Sequence, residues 1–152
     1  MNNKLGFILI EIQKTNNQHR HYTEVLSKSI HDNPDKDICI FNSFCDSIIP
    51  VNMPVLHIKY SKFFEGDMFL FNTTSILLTN SFPKIKTRYL YMNNAPWING
   101  NAPYKNWENI FMQNNVEIVV PTQELYDIYK ICWKKPVMFE GGFNCENIKK
   151  LY

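Results

Sequence analysis

The sequence predicts an α/β protein, in which helices cover both faces of a mostly parallel sheet. Short apolar runs suited to buried strands alternate along the chain with segments whose apolar residues recur at helical spacing. Such alternation is typical of parallel sheets, because each parallel pair needs a crossover that a helix provides. The 152 residues fit one domain but not two, and no linker or internal repeat divides them. We therefore expect residues 1–152 to form a single Rossmann-like, three-layer domain.

The first part of the chain contains three predicted strands and one helix. Residues 5–12 form a nearly continuous apolar run, as expected for a strand buried on both faces. Four apolar residues at helical spacing then predict a helix up to His31: Tyr22, Val25, Leu26 and Ile30. Turn-forming residues at 32–35 end this helix. The next strands are predicted at 38–41 and 55–58.

The rest of the chain contains four predicted strands, each followed by a helix. The strands are expected at 68–71, 88–92, 116–120 and 136–139. Thr73 or Thr74, Thr122 and Asn144 are the expected N-caps of the first, third and fourth helices, and the second helix should run for about three turns. Apolar residues mark the four helices in order: Ile76, Leu77 and Leu78; Trp107, Ile110 and Phe111; Leu125, Ile128, Tyr129 and Cys132; Ile148 and Leu151.

Composition and charge narrow the classes of protein to consider. The chain is 45% hydrophobic and 20% charged, as expected of a soluble globular domain. Its net charge is +2 and its lysines are spread out, which argues against a nucleic-acid-binding protein. No apolar run reaches about 20 residues, the length that a membrane helix needs, and no signal peptide is recognisable. We expect a cytoplasmic protein that binds neither nucleic acid nor membrane.

The cysteine spacing and the missing motifs exclude further classes. The four cysteines show neither a C-x-x-C pair nor the spacing of a zinc site, so we expect free, mostly buried thiols and no metal. The sequence contains no G-x-G-x-x-G dinucleotide loop and no G-x-x-x-x-G-K-[ST] phosphate loop. It also lacks G-x-S-x-G and H-E-x-x-H. P-loop ATPases, α/β-hydrolases and zinc proteases of these types are therefore excluded.

Ligands of parallel α/β sheets bind beside the carboxyl ends of the strands, where the strand order reverses. This rule selects seven segments before any chemistry is considered: 13–18, 42–44, 59–61, 72–74, 93–101, 121–124 and 140–143. Two of these segments carry unusual polar patterns. A third candidate feature is the pair of histidines at the start of the first helix.

The four histidines lead to different expectations. His19 and His21 flank Arg20 near the expected mouth of the sheet, where either is a candidate catalytic base. The alternative is that they simply form a polar helix start. His57 lies inside an apolar strand, so we expect it to be hydrogen-bonded within the core. His31 is placed at a helix C-terminus, where positive charge is favourable, and is assigned no function.

The segment from Tyr91 to Asn101 combines several asparagines with a proline and a tryptophan. Carbohydrate sites often pair amide side chains, which bind hydroxyls, with an aromatic ring for the apolar face of a sugar. Asn93, Asn94 and Trp97 are therefore candidate sugar-binding residues. The alternative is that Trp97 plugs the end of the sheet while the asparagines form turns.

The sequence Glu140-Gly141-Gly142 follows a predicted strand and precedes a capped helix. Glycines at this place allow a positive φ and a close approach of backbone to ligand, and a helix N-terminus favours an anion. A phosphate-binding turn and an ordinary tight turn both fit this pattern.

Four segments of the chain resemble the N-terminal, acceptor-side domain of GT-B glycosyltransferases, above all the short glycosyltransferase-like proteins of tailed phages. They are residues 64–74, 87–97, 117–124 and 135–144. The second is similar to the aromatic strand and the polar, tryptophan-bearing loop of that family. The fourth is similar to the strand and turn that close the first GT-B domain.

The resemblance implies metal-independent transfer of a sugar from a nucleotide sugar, which serves as co-substrate, to a hydroxyl acceptor; no further cofactor is expected. The base would be His19 or His21. The acceptor would be bound by Asn16, Asn17, Asn72, Asn93, Asn94 and Trp97. The cleft edge and phosphate contact would come from Thr122, Glu140, Gly141 and Gly142. If the protein is phage-encoded, it would act in the host cytoplasm.

The chain departs from the GT-B pattern in two respects. It has no second, nucleotide-binding domain, so a separate subunit or a homodimer would have to complete the cleft. The glycine-rich loop after the first strand is also missing, and residues 13–17 stand in its place. The alternative function is therefore a non-catalytic phage accessory protein that binds a small polar ligand or a host protein on the same fold.

Overall fold

Seven parallel strands form the main sheet in a computed structural model that describes residues 4–9, 11–12, 17–45 and 52–151, with backbone alone for 11–12 and 44–45. In chain order the strands are β1 (Leu5–Ile8), β2 (Glu11–Ile12), β3 (Ile38–Asn42), β4 (Phe44–Cys45), β5 (Val55–His57), β6 (Gly66–Leu70), β7 (Ile85–Tyr91), β8 (Val116–Val120) and β9 (Val137–Met138). β2 and β4 form a separate parallel pair, and the other seven strands make up the sheet.

Five α-helices and one 3₁₀ helix connect the strands. They are α1 (Asn17–Asp32), the 3₁₀ helix (Ile58–Phe63), α2 (Thr73–Thr79), α3 (Tyr104–Phe111), α4 (Gln123–Cys132) and α5 (Cys145–Lys149). Among the described residues, none of these helices combines the length and apolarity needed to cross a bilayer.

The strand order across the sheet is β5-β3-β1-β6-β7-β8-β9, and every neighbouring pair is parallel. From β1, the chain adds β3 and then β5 on one side. It then returns to place β6 on the other side of β1 and adds β7, β8 and β9 towards the opposite edge. Phe7 of β1 therefore pairs with Ile40 of β3 on one side and with Phe69 of β6 on the other. This is a doubly wound, Rossmann-like sheet between two layers of helices, which confirms the predicted fold class.

One face of the sheet is covered by α1 and α5, and we call it the aromatic face. Its buried rings are Phe7, Tyr22, Phe69, Tyr91, Phe139 and Phe143. Leu26 of α1 and Ile148 of α5 are fully buried against this cluster. Burying each such side chain contributes roughly 1.5–3 kcal/mol relative to leaving it in water, so this layer is a major part of the core.

The other face of the sheet is covered by α2, α3 and α4. Ile76, Phe111 and Tyr129, one from each helix, are fully buried there. Successive residues of a strand point to opposite faces, so Met68 and Leu70 of β6 enter this layer while Phe69 enters the aromatic face. Because the crossovers on the two sides of the β1–β6 junction use opposite faces, both faces are packed.

All seven predicted strands and all five predicted α-helices are present, and some boundaries differ for local reasons. The predicted strand 5–12 is divided into β1 and β2, and β2 pairs outside the main sheet. Asn72, rather than Thr73 or Thr74, caps α2, because its Oδ1 accepts the backbone N–H of Ser75 at 2.9 Å. α3 has eight residues and is shorter than the predicted three turns.

Two predictions of burial are wrong. His57 is exposed, since β5 is the edge strand of the sheet, and its Nδ1 accepts the backbone N–H of Lys59 at 3.1 Å at the start of the 3₁₀ helix. Cys132 is also exposed, because the buried stripe of α4 passes from Tyr129 to Trp133 and leaves Cys132 beside it.

Candidate functional site

The strand order reverses between β1 and β6, so the carboxyl ends of these two strands mark the expected ligand site. α1 follows β1 and β2 in the chain and begins with the exposed Asn17. Asn16 lies outside the described residues. β6 is followed by Phe71 and Asn72, and α2 starts at once. The described part of this site therefore consists of the first turns of α1, the start of α2 and the residues that pack between these two segments.

His21 of α1 contacts the loop that follows the last strand. Its Nε2 lies 3.0 Å from the carbonyl oxygen of Phe143, which is 122 positions away in sequence. A carbonyl oxygen only accepts, so in this bond Nε2 must carry the proton. When Nε2 carries this proton, Nδ1 is the ring nitrogen that can accept a proton from a ligand. The contact brings together two predicted features, His21 and the turn around Gly141.

The Gly141-Gly142 turn has a backbone conformation that explains its sequence. Both glycines have positive φ, +75° and +86°, where L side chains are strained. Gly142 donates its N–H to the carbonyl of Phe139 at 2.8 Å. The side-chain amide of Asn147 stabilises the turn, since Nδ2 donates to the carbonyls of Glu140 at 2.9 Å and Gly142 at 2.8 Å. The turn is thus rigidly placed beside His21, while Glu140 and Gly141 are exposed.

Asn147 is a residue that sequence reasoning missed. It is 2% exposed, and it was not among the candidate residues, because a single asparagine in a short helix has no distinctive pattern. Its backbone N–H also bonds to Oδ1 of the capping Asn144 at 2.9 Å, which confirms the predicted cap. Asn147 thereby connects α5 to the glycine turn.

Aromatic rings support the site from the sheet side. Tyr22, the neighbour of His21, stacks on Phe71 with ring centroids 4.2 Å apart. Phe143 meets both rings edge-on, at centroid distances of 5.0 Å and 5.1 Å. α1, the end of β6 and the loop after β9 therefore pack against one another through three rings.

Two tyrosine hydroxyls in this cluster are perturbed by their surroundings. Burial raises the pKa of Tyr22 to about 12, although the Gln18 amide, which donates to the hydroxyl at 2.5 Å, partly opposes this shift. Burial also raises the pKa of Tyr91, while a backbone hydrogen bond from Phe143 opposes that shift. Both phenols are therefore neutral at physiological pH and act as hydrogen-bonding groups rather than as bases.

A groove of about 480 Å³ opens between α1 and α5 on the outer side of His21. It is lined by His21, Glu24, Val25, Lys28, Asn144, Cys145 and Glu146. Carboxylate, ammonium, amide and imidazole groups are all present, which suits a ligand with several hydroxyls. Glu24 is already paired with Arg20 at 2.8 Å, so the groove is less acidic than its residue types indicate.

The Asn93–Trp97 segment lies on the other face of the sheet. Trp97 packs edge-on against Tyr129 at a centroid distance of 4.6 Å, and against Phe111 and Trp133 at 5.4 Å each. The carbonyl of Asn94 accepts the hydroxyl of Tyr129 at 3.0 Å, while the side chains of Asn93 and Asn94 are exposed. The ring of Trp97 is half-buried in the core, as the plug alternative expects.

The remaining candidates have local structural contacts. Thr122 caps α4 as predicted, since its Oγ1 accepts the N–H of Leu125 at 3.3 Å. His19 is half-buried in the first turn of α1, and its carbonyl accepts the hydroxyl of Thr23 at 3.1 Å. Asn72 uses its Oδ1 for both the N–H and the hydroxyl of Ser75. The structure thus brings His21 to the loop directly after the glycine turn and places Trp97 on the other face of the sheet.

The described residues contain no group of three or more His, Cys, Asp or Glu side chains arranged to hold a metal ion. Comparison with known proteins adds no relative: no protein-family model, no curated protein and no solved structure matches the chain.

Proposed function

We propose that the protein is the acceptor-side domain of a GT-B-type glycosyltransferase, and that it binds a hydroxylated acceptor at the carboxyl edge of β1 and β6. The observation that carries the proposal is the contact of His21 with the Phe143 carbonyl, beside the positive-φ turn of Gly141 and Gly142. It puts the His21 imidazole next to a backbone turn with an exposed glycine, Gly141, and a polar groove adjoins the imidazole. The resemblance of residues 64–144 to the GT-B first domain supports the same function.

The proposed reaction needs one proton acceptor and one site for the leaving group. Nδ1 of His21 takes the proton of the acceptor hydroxyl as that oxygen bonds to the anomeric carbon of the donor sugar. The bond from this carbon to the diphosphate oxygen breaks, and the nucleoside diphosphate leaves with the electron pair. Gly141 and Gly142 leave the backbone open to close approach by the diphosphate. A second subunit, or a second copy of this chain, would bind the nucleotide.

We place this activity in the cytoplasm. Cys39, Cys132 and Cys145 are all free thiols, as expected in a reducing compartment.

The proposal is tested by incubating the protein with a panel of nucleotide sugars and measuring donor hydrolysis or transfer. His21→Ala should lower the rate about 100-fold, because a positioned general base contributes at least that much. His31→Ala is the matched control, since His31 is exposed in the last turn of the same helix. No turnover with any donor, by the protein alone or together with the product of the adjacent gene as candidate second subunit, would contradict the proposal.

A second function, a non-catalytic binding protein, is favoured by one observation. Trp97, the ring expected to face a sugar, packs instead against Tyr129, Phe111 and Trp133. A thermal-shift screen distinguishes the two functions, because a ligand that binds the native state raises the unfolding temperature. Stabilisation by nucleotide sugars favours the transferase, whereas stabilisation by other small polar molecules alone favours the binding protein.

A further inference from the structure

One edge of the sheet has an exposed apolar surface that the proposed function does not use. β5 is the edge strand, and on its side away from β3 no other described strand pairs with it. Val55 and Leu56 of β5 are 39% and 41% exposed. Tyr60 and Phe63 of the following 3₁₀ helix are 48% and 68% exposed. We call these four residues the β5 edge patch.

The patch contains a groove of about 410 Å³, lined by Phe41, Leu56, Tyr60, Phe63 and Phe64. Its floor is fixed, because Phe41 is 1% exposed and Phe64 packs edge-on against it at a centroid distance of 5.5 Å. Its walls are the exposed rings of Tyr60 and Phe63. The groove is therefore a preformed apolar recess beside a strand with an open backbone edge.

The two edges of the sheet differ in their side chains rather than in their backbones. β9 has two residues and β5 has three, and a proline stands directly before each strand, Pro136 and Pro54. Short edge strands and prolines are the usual means by which proteins prevent unwanted strand pairing. The exposed side chains of the β5 edge patch, in contrast, are apolar and adjoin a groove. A surface of this kind favours a partner that fills the groove with an apolar side chain.

Charge around the patch indicates the chemistry of that partner. The segment 55–64 contains two lysines, Lys59 and Lys62, and no carboxylate. The ammonium of Lys59 lies 5.0 Å from the ring centroid of Tyr60, and that of Lys62 lies 4.9 Å from the ring centroid of Phe63. Both cations thus sit on the walls of the groove. The next carboxylate along the chain, Glu65, is already paired with Lys84.

The same charges argue against a second copy as the occupant. A two-fold dimer places the same surface on both sides of the interface. Lys59 and Lys62 of both copies would then be brought into one apolar contact, and segment 55–64 supplies no carboxylate to pair with them. Like charges brought together in an interface cost binding free energy, whereas carboxylates of a partner would pair with both lysines.

We propose that the β5 edge patch binds an extended, acidic segment of another protein. The segment inserts an apolar side chain into the groove over Phe41. Its carboxylates lie against Lys59 and Lys62. This inference is independent of the proposed transferase function, since the patch is at the edge of the sheet and the His21 site is at the β1–β6 junction.

Fluorescence anisotropy with two labelled peptides tests this inference. One peptide alternates valine or leucine with glutamate, and the other has lysine in place of every glutamate. The acidic peptide should bind, and the basic peptide should bind about tenfold more weakly or not at all. Lys59→Glu combined with Lys62→Glu should reverse this preference. Phe63→Ser should abolish binding, whereas Ile131→Ser, which removes an 83% exposed apolar side chain on α4, should not.

Four outcomes would overturn the inference. They are equal binding of both peptides, binding of neither, unchanged binding by the Phe63→Ser variant, and stronger binding of a labelled oligothymidine than of the acidic peptide. A concentration-dependent dimer that Phe63→Ser dissociates would assign the patch to a second copy instead, and sedimentation velocity detects it. Circular dichroism of each variant shows that the fold is intact, which is expected because the substituted side chains are exposed.

Discussion

The guanidinium of Arg88 donates from Nε to the hydroxyl oxygen of Thr79 at 3.0 Å and from Nη2 to the carbonyl oxygen of the same residue. Arg88 is 2% exposed and Thr79 is fully buried, and the ion pairs of the described residues do not include this arginine. Burial lowers the pKa of Arg88 below its ordinary value. Within the described part of the chain, this buried cation is thus stabilised by hydrogen bonds to Thr79 at the end of α2.

Thr79→Val should destabilise the protein by about 2 kcal/mol, because Arg88 Nε loses its acceptor while the side chain stays buried and charged. In an Arg88→Met background the same change should cost clearly less, since no cation is left there. Urea denaturation of the four proteins of this cycle measures the coupling. Thr74→Val, at an exposed position of α2, should change stability by no more than about 0.5 kcal/mol. Equal costs of Thr79→Val in both backgrounds would show that the contact contributes nothing.

The stability of the protein should fall at alkaline pH through Tyr22. Its pKa is raised from 10.0 to about 12 by burial, so the folded state favours the neutral phenol. The contribution to stability is complete below the unfolded pKa and is lost as the pH rises towards the folded pKa, that is from about 10 to about 12.

Tyr22→Phe should flatten this part of the pH dependence, measured as the free energy of unfolding in urea. At neutral pH it should also cost about 1 kcal/mol, because the Gln18 amide loses its acceptor. Tyr60→Phe serves as the control at an exposed tyrosine. A pH profile of Tyr22→Phe that parallels the original protein would contradict the assignment.

Gly66→Ala should destabilise the protein more than Gly141→Ala does. Gly66 has a φ of +152°, and a Cβ added there would lie 2.4 Å from the carbonyl oxygen of Lys4. That carbonyl also accepts the N–H of Asp67 at 3.0 Å, so the junction of β1 and β6 would have to shift. Gly141 has a φ of +75°, and its added Cβ meets nothing closer than 3.8 Å.

We expect a cost of about 1–2 kcal/mol for Gly141→Ala from backbone strain alone, and at least about 3 kcal/mol for Gly66→Ala from strain plus the clash. Thermal unfolding of the two variants compares them directly. The reverse ranking would mean that the close approach of the two strands is not rigid.

Thiol labelling should distinguish the cysteines by their surroundings. Cys132 is exposed, whereas burial, with Asp37 nearby, raises the pKa of Cys39 to about 12. The thiolate is the reactive form, so Cys39 should be alkylated at least about 100-fold more slowly than Cys132 in the native protein. Mass spectrometry of peptides from protein quenched at successive times gives the separate rates. In denaturant the two rates should converge, and a persistent difference there would rule out burial as the cause.

Local patterns were sufficient to predict the seven strands of the main sheet and the five α-helices, because each apolar run or helical stripe reflects burial of its own segment. Thr122 and Asn144 were identified as caps for the same reason, since a cap is formed within four residues. The burial of His57 was predicted wrongly, because its strand pattern contains no information on whether the strand is central or at an edge.

The site depends on contacts between distant segments and was only partly predictable. His21 and the Gly141-Gly142 turn were identified separately, and nothing in either segment indicates that His21 bonds to Phe143. Trp97 had two interpretations in the sequence, and its placement against Tyr129 is decided by tertiary packing. Neither the role of Asn147 nor the apolar groove beside β5 has a sequence pattern of its own.

The pairing of α1 with α5 has a consequence for biosynthesis. Phe143, Ile148 and Leu151 complete the layer over the aromatic face, and they leave the ribosome after all seven strands have been made. Until then Phe69 and Phe139 are only partly buried. The growing polypeptide therefore exposes an apolar surface to chaperones and to neighbouring nascent chains. Closure of that layer consequently has to wait until residues 143–151 have been synthesised.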